Sequence, residues 1–175
     1  MKTLLTLVVT LILVCSHADA KAHFQARSEL ITKASVIAII ELQEPEAAKP
    51  DRDAGQQGPF GADGVVGKTW TYSTQAKAKL VKLIKGEIPK EFMIYGGESF
   101  ICAQCTLAKG KYLAFLNKDG DCWVGSNWQL SLRPIKGDKV EWYVSEEQKF
   151  PMKNQALDKV LAEIQEILAK TKKGE

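Results

Sequence analysis

Three cysteines in the second half of the chain, Cys102, Cys105 and Cys122, are the residues whose type and spacing could do chemistry. Two residues separate Cys102 from Cys105, which is the spacing of a redox pair or of half a structural zinc site. The redox pair is typical of a βαβ context, and a structural zinc site takes four ligands. The neighbouring sequence offers neither, so a thiol oxidoreductase that uses Cys102 and Cys105 is only an alternative hypothesis.

Outside the cytoplasm cysteines usually pair, so the same cysteines have a structural interpretation if the chain is exported. We expect one disulfide that joins Cys122 to either Cys102 or Cys105 and leaves one thiol over. The spacing is compatible with both partners.

Other catalytic arrangements find little support in the sequence. A Ser-His-Asp or Cys-His site needs a base that titrates near neutral pH, and His23 is the only histidine beyond residue 20. The stretch 117–121 resembles the start of a calcium loop but lacks the later glutamate, and Asp119-Gly120 is a common hairpin dipeptide. We therefore predict a non-enzymatic protein without a cofactor or a metal site.

The first twenty residues predict export. A lysine near the start, an apolar run over Leu4–Val14 and the small-x-small sequence Ala18-Asp19-Ala20 are typical of a signal peptide. We expect residues 1–20 to be removed, the mature chain to begin near Lys21, and the protein to be secreted or periplasmic.

Two membrane alternatives compete with this interpretation. The apolar run is shorter than the roughly twenty residues that a membrane-spanning helix needs, so we expect no membrane span. Lipoprotein anchoring through Cys15 is a minor alternative, because the branched Val14 stands before it where a small residue is wanted.

The charge balance disfavours a nucleic-acid partner. The formal net charge is +3, and a nucleic-acid binder usually concentrates lysine and arginine on one face. Lys77, Lys79, Lys82 and Lys85 do cluster, but acidic residues follow at once at Glu87 and Glu91. We predict no nucleic-acid binding.

The apolar pattern predicts a β domain over residues 21–150. Ala34–Leu42 is nearly all apolar and β-branched, which suits a strand buried on both sides or part of a barrel wall. From Trp70 to Ile84 the chain alternates until Val81, where the slip predicts a bulge or a strong bend, as barrels need in order to close. Further strands are predicted at Phe92–Tyr95, at Lys111–Leu116, from Cys122 to an end at Arg133-Pro134, and at Val140–Val144.

A long polar loop separates the first two strands. Residues 43–68 are broken by prolines and glycines and cannot bury a core. Loops of this length are either functional or flexible, and we predict a flexible loop. We predict the partner-binding residues in it and beside it: Pro45, Pro59, Phe60 and Trp70.

In the last segment, residues 151–175, the pattern changes to the period of a helix from Asn154 to Lys172. Its apolar stripe faces a core, and lysines in the last turn suit the carbonyl end of a helix. The stripe consists of Leu157, Val160, Leu161, Ile164, Ile167 and Leu168. We predict an amphipathic helix packed on the β domain.

The order of these segments resembles the amino-terminal domain of the tissue inhibitors of metalloproteinases, an OB-fold barrel. The matching points are a small residue with an apolar run at Ala34–Ile37, a long strand that ends in Lys85-Gly86, a cysteine after the next strand, and Lys111-Tyr112-Leu113. The resemblance implies a mainly β, OB-fold-like antiparallel barrel of five to six strands. It also implies a contact surface at the loop 43–68, since the corresponding loop of the family can touch the protease.

The predicted mature end departs from that family. There the chain begins at a cysteine whose α-amine and carbonyl oxygen chelate the catalytic zinc, and a second cysteine two residues on ties the end to the barrel. Here the chain would begin Lys21-Ala22-His23, with no cysteine at either place. We therefore expect an exported OB-fold binding module for a protein partner. A metalloprotease inhibitor, with a metalloprotease as the partner, is the alternative.

Overall fold

A computed structural model of the chain describes residues 25–48, 72–98, 105–146 and 152–173. The described part contains nine strands, two α-helices and one short 3-10 turn. The strands are β1 Val36–Leu42, β2 Glu46–Ala47, β3 Tyr72–Lys85, β4 Glu91–Glu98, β5 Gly110–Asp119, β6 Cys122–Gly125, β7 Leu132–Lys136, β8 Lys139–Tyr143 and β9 Met152–Ala156. The helices are α1 Arg27–Lys33 and α2 Leu157–Lys173, and the 3-10 turn spans Trp128–Leu130.

Five strands close into a barrel in the order β1, β3, β4, β6, β5, and β5 returns to pair with β1. The neighbours are antiparallel apart from β4 and β6, which run parallel. The predicted mainly β, OB-fold-like barrel with a helix packed on it is confirmed. Strands β7, β8 and β9 extend the sheet outside the barrel from β5.

Strand β1 supplies side chains to two separate cores. Val36, Ala38 and Ile40 belong to the cluster inside the barrel, whereas Ile37 and Ile39 belong to a second cluster outside it. Each of these side chains is at most 5% exposed. This alternation explains why the segment is apolar at consecutive positions, and it confirms the prediction of a strand buried on both sides.

The outer core joins the helices to the barrel. Leu30 and Ile31 of α1, together with Val160 and Ile164 of α2, are fully buried against it. At its centre the rings of Phe115 and Trp142 stack with centroids 5.8 Å apart. Burying a large apolar side chain contributes roughly 1.5–3 kcal/mol, so this layer supplies a substantial part of the fold's stability.

Strand β3 is irregular where the sequence predicts a bend. Its pairing with β1 places Leu80 opposite Ile40 and Lys82 opposite Ile39, so Val81 has no place in the register. A second skip follows at Ile84. Extra residues of this kind increase twist and help a long strand to follow the barrel wall.

The segment from Cys122 to Leu132 is not a single strand. Strand β6 ends at Gly125, and the backbone N–H of Asn127 donates to Ser131 Oγ at 2.7 Å across the 3-10 turn. The local hydrogen bond replaces the strand that the alternating pattern predicted. Arg133-Pro134 does not end a strand either, because both residues lie within β7. Pro134 pairs with β5, and β8 joins β7 only from Ile135, so the missing N–H interrupts no ladder there.

The C-terminal helix begins later than its pattern predicts. Residues from Asn154 to Ala156 belong to β9, which pairs with β8 along its whole length. Helix α2 starts at Leu157, whose backbone N–H donates to the carbonyl of Asp138 at 2.8 Å. Pairing with the edge of β8 outweighs the helical pattern at these residues.

Helix α1 is fastened at its N-terminal end by a residue far away in the sequence. Glu146 accepts from the backbone N–H of Ser28 at 2.7 Å and from the guanidinium of Arg27 at 3.0 Å. Burial alone would raise the pKa of Glu146, but the hydrogen bonds from Ser28 and Arg27 outweigh it and lower that pKa. The carboxylate serves as the cap that Ala26 cannot provide.

Candidate functional site

The candidate site is the base of the long loop, where the chain leaves the barrel after β1 and returns at β3. Backbone hydrogen bonds hold both sides of this base together. Gln43 N–H donates to the carbonyl of Lys77 at 2.9 Å, and Ala48 N–H donates to that of Ser73 at 3.0 Å. Between these bonds β2 pairs with β3. The first part of the predicted flexible loop is therefore an ordered extension of the sheet.

A side-chain contact reinforces the base. Gln75 lies on the face of β3 that the alternating pattern predicts to be wet, yet its side chain is only 4% exposed. Its amide nitrogen donates to Glu46 Oε1 at 2.7 Å. The buried amide thus has an acceptor from the loop segment that covers it.

Aromatic side chains lie beside the base. The rings of Tyr72 and Tyr95 are 6.2 Å apart, and the hydroxyl of Tyr72 donates to Asp119 Oδ2 at 2.7 Å. Ala48 and Met93 pack against the same small cluster. The hydrogen bond ties the start of β3 to the end of β5, so the returning end of the loop has a fixed position.

The predicted partner-binding residues fall mostly outside the described ranges. Pro45 lies at the base, between β1 and β2, and is half-buried. Pro59, Phe60 and Trp70 lie outside the described residues, so their assignment stays a prediction.

The cysteines occupy different parts of the barrel. Cys105 is buried in the cluster inside the barrel, and Cys122 is buried in the cluster that contains Tyr95. No disulfide joins Cys105 to Cys122. Cys102 lies outside the described residues, so a disulfide that involves it stays a prediction.

The described part of the chain shows neither a metal-binding group nor a membrane-spanning helix. In the described ranges no group of three or more histidine, cysteine, aspartate or glutamate side chains could hold a metal ion. Neither described helix combines the length and the apolar character that crossing a bilayer requires. Glu44 and Glu46 of the base are exposed carboxylates.

The buried charge of the described part is Arg133, whose residue is 5% exposed. Burial lowers its pKa, and the carboxylate of Glu141, 3.8 Å away, opposes that shift. The guanidinium also contacts the sulfur of Met152. These contacts link β7, β8 and β9, so we assign Arg133 a structural role.

A second surface, which the sequence pattern did not predict, is formed by residues 80–85 of β3; we call it the β3 edge. The paired part of β4 begins opposite Lys79, so the β3 edge extends past it. The signal was present in the slip at Val81, because Val81, Leu83 and Ile84 are apolar and Lys82 stands between them. Trp142 and Tyr143 are at most 1% exposed and belong to the core.

Comparison of the chain with protein-family models, with curated proteins and with solved structures finds no match in any of the three. The resemblance to the tissue inhibitors of metalloproteinases therefore stays a hypothesis.

Proposed function

We propose that this chain is a non-enzymatic, exported OB-fold-like module that binds a protein partner through the loop between β2 and β3. The observation that carries the proposal is the pair of backbone hydrogen bonds, from Gln43 to Lys77 and from Ala48 to Ser73, that closes the base. Ala48 and Tyr72, the described residues on either side of the segment 49–71, thus lie on a fixed platform. Binding residues are common on loops that a rigid scaffold positions, and a preorganised base lowers the entropic cost of association.

A metalloprotease inhibitor of the tissue-inhibitor type is the second candidate. One observation favours it: Gln25 is held by two hydrogen bonds, from its N–H to Asn127 Oδ1 at 3.1 Å and from the hydroxyl of Tyr143 to its carbonyl at 3.0 Å. A lead-in fixed a few residues after Lys21 reduces an ordering cost of roughly 1–2 kcal/mol per residue. The absence of a cysteine at Lys21 or His23 opposes this candidate.

A thiol oxidoreductase is the third hypothesis, and burial opposes it. The Cys105 residue is 1% exposed. Exchange with a substrate disulfide requires access to the attacking thiolate. A chain that used Cys105 in this way would first have to open its barrel.

A loop deletion tests the proposal. We expect the wild-type mature chain to capture a partner from its own culture supernatant or periplasm, identified by mass spectrometry. Replacement of residues 50–67 by a short glycine-serine linker removes the loop, so we expect the capture to be lost. The linker keeps β2 and Tyr72, so we expect the thermal transition to stay within a few degrees of the wild type. Glu166→Lys on α2 is the control, because that side chain is 65% exposed and its substitution leaves the base untouched.

Retention of the same partner by the deletion variant would refute the loop proposal. The inhibitor alternative has its own assay: inhibition of a zinc protease that is lost on acetylation of the α-amine would favour it. The intact mass of the exported protein checks the predicted mature end at Lys21.

A further inference from the structure

The β3 edge has a strand neighbour on one side only within the described residues. Leu80 N–H donates to the carbonyl of Lys90 at 2.8 Å, and this is the last bond between β3 and the β4 side. Beyond it β3 continues to Lys85 and, among the described strands, pairs with β1 alone. Open strand edges of this kind are templates for the addition of another strand.

Two exposed apolar side chains stand on this edge. Val81 is 49% exposed and Leu83 is 41% exposed. The described residues contain one further large apolar side chain with such exposure, Val144. A single exposed apolar residue needs no explanation, whereas two on one open strand indicate a contact surface.

The exposed charge of the β3 edge is Lys82, and no carboxylate stands opposite it on the described strand β1. Lys79 has carboxylates on both neighbouring strands, because its register partners are Glu41 and Glu91. Lys82 is exposed and stands opposite Ile39 instead. A positive charge left without a cross-strand partner favours an acidic residue on an added strand.

The same charge disfavours a second copy of this chain. Antiparallel pairing of two β3 edges about a two-fold axis centred on Lys82 would place the two Lys82 side chains opposite each other. Like charges directly across a strand pair are destabilising, and edge lysines commonly prevent such self-association. The partner strand therefore differs from β3 in charge.

We propose that the β3 edge binds an extended segment of a partner protein in which acidic residues alternate with apolar ones. The segment adds a strand beside β3, its apolar residues cover Val81 and Leu83, and its carboxylates contact Lys82. This surface does not rest on the loop proposal, because Lys82 is roughly 25 Å along the strand from Thr74 at the loop base.

A synthetic peptide of alternating glutamate and valine, labelled with fluorescein, is the probe. We expect saturable binding to the full mature chain by fluorescence anisotropy, and no binding of the peptide in which lysine replaces glutamate. Lys82→Glu should weaken binding by about tenfold or more, whereas Lys82→Arg should retain it. The matched control is Lys153→Glu on the β9 edge, which should change the affinity less than about twofold.

Hydrogen exchange checks the geometry independently of charge. Addition of the acidic peptide should slow amide exchange at residues 81–85 and leave residues 72–75 of the loop base unchanged. If Lys82→Glu proves unstable in a thermal scan, Lys82→Gln takes its place. Deletion of residues 50–67 should leave peptide binding intact, so failure of the loop proposal and failure of this one are distinguishable.

Four results of the peptide experiments would overturn the proposal. They are no saturable binding of the acidic peptide, equal binding of the lysine-valine peptide, equal losses for Lys82→Glu and Lys153→Glu, and protection that misses residues 81–85. Concentration-dependent dimerisation of the wild type that slows amide exchange at residues 81–85 would also overturn it, and would assign the edge to a second copy of the chain.

Discussion

The ammonium nitrogen of Lys85 lies 2.6 Å from the carbonyl oxygen of Ala34. The same nitrogen donates to the carbonyls of Thr32 at 2.7 Å and Ile31 at 3.1 Å. One side chain at the end of β3 therefore satisfies carbonyls that the end of α1 would leave without an intrahelical partner. Burial lowers the pKa of Lys85, which reflects the cost of removing its charge from water.

We predict that Lys85→Met destabilises the fold by about 2 kcal/mol, because hydrogen bonds from a charged donor are lost and carbonyls at the end of α1 lose their partner. Lys82→Met removes the same charge from an exposed position of the same strand and should cost less than about 0.5 kcal/mol. Urea denaturation of both variants measures the difference. Equal losses would show that Lys85 acts only through net charge.

Gly86→Ala should be more damaging than an ordinary substitution of a turn glycine. Gly86 has φ +77, and a Cβ there would lie 2.2 Å from the backbone oxygen of Ser35. Gly137 has φ +63 but nothing within 4 Å of its Cβ position, so Gly137→Ala isolates the conformational cost, about 1–2 kcal/mol. We expect Gly86→Ala to exceed that control by at least about 2 kcal/mol in thermal or urea unfolding. Similar losses in both variants would contradict the close approach.

Glu146 should make a pH-dependent contribution to stability. Its pKa is lowered in the folded state from the ordinary value of 4.5, so the unfolded chain binds the proton more tightly. The contribution is fully present above about pH 4.5 and is lost as the pH falls through the lowered folded pKa. Glu146→Gln should therefore be less stable than wild type at neutral pH, by less than about 1 kcal/mol for a partly exposed group, and equal to it in strong acid. A pH-independent difference in urea unfolding would exclude this linkage.

Tyr143 should ionise later than an ordinary tyrosine. Burial raises its pKa from 10.0 to about 12, and nearby Arg133 only partly offsets the shift. Because the folded state holds the proton more tightly, the stabilisation is complete below pH 10 and is lost as the pH rises towards 12. A tyrosinate absorbance titration should show a late component that Tyr143→Phe removes. A wild-type titration in which every tyrosine ionises near the ordinary value would refute the assignment.

Peptide mapping without reduction should show Cys122 linked to Cys102. Cys105 lies among the side chains inside the barrel, whereas Cys122 packs in the cluster with Tyr95 and Val124, so the two thiols belong to different layers. A disulfide requires Cβ atoms about 3.5–4.5 Å apart. The mapping should use protein isolated from the culture supernatant or the periplasm, where the disulfide would form. A Cys105–Cys122 bond would contradict the layer assignment.

The alternation of apolar and polar residues predicted the barrel strands because the side chains of a strand point alternately to its two faces, and each face is either buried or exposed. The alternation of β3 is visible at Ala76 and Ala78, which are buried, and at Lys77 and Lys79, which are exposed. The apolar stripe of α2 predicted the burial of Val160 and Ile164 in the same way. Patterns of this kind indicate which side chains of one strand or helix are buried and which are exposed.

The parts that the sequence did not predict depend on residues far apart in the chain. Glu146 caps α1 across a separation of 118 residues, and no local pattern indicates that pairing. Gln75 is buried because Glu46 covers it, although its position in the alternation predicts exposure. The β3 edge could not be predicted from the pattern of β3, because its lack of a described neighbour on the β4 side depends on where β4 begins.

The two-sided burial of β1 has a consequence for unfolding. A strand whose successive residues belong to different cores cannot leave one of them and stay in the other. Loss of the helices would expose Ile37 and Ile39 and loosen the strand that holds Ala38 and Ile40. The barrel and its helical cover should therefore melt as one cooperative unit, with no separable half to act as a partly folded intermediate.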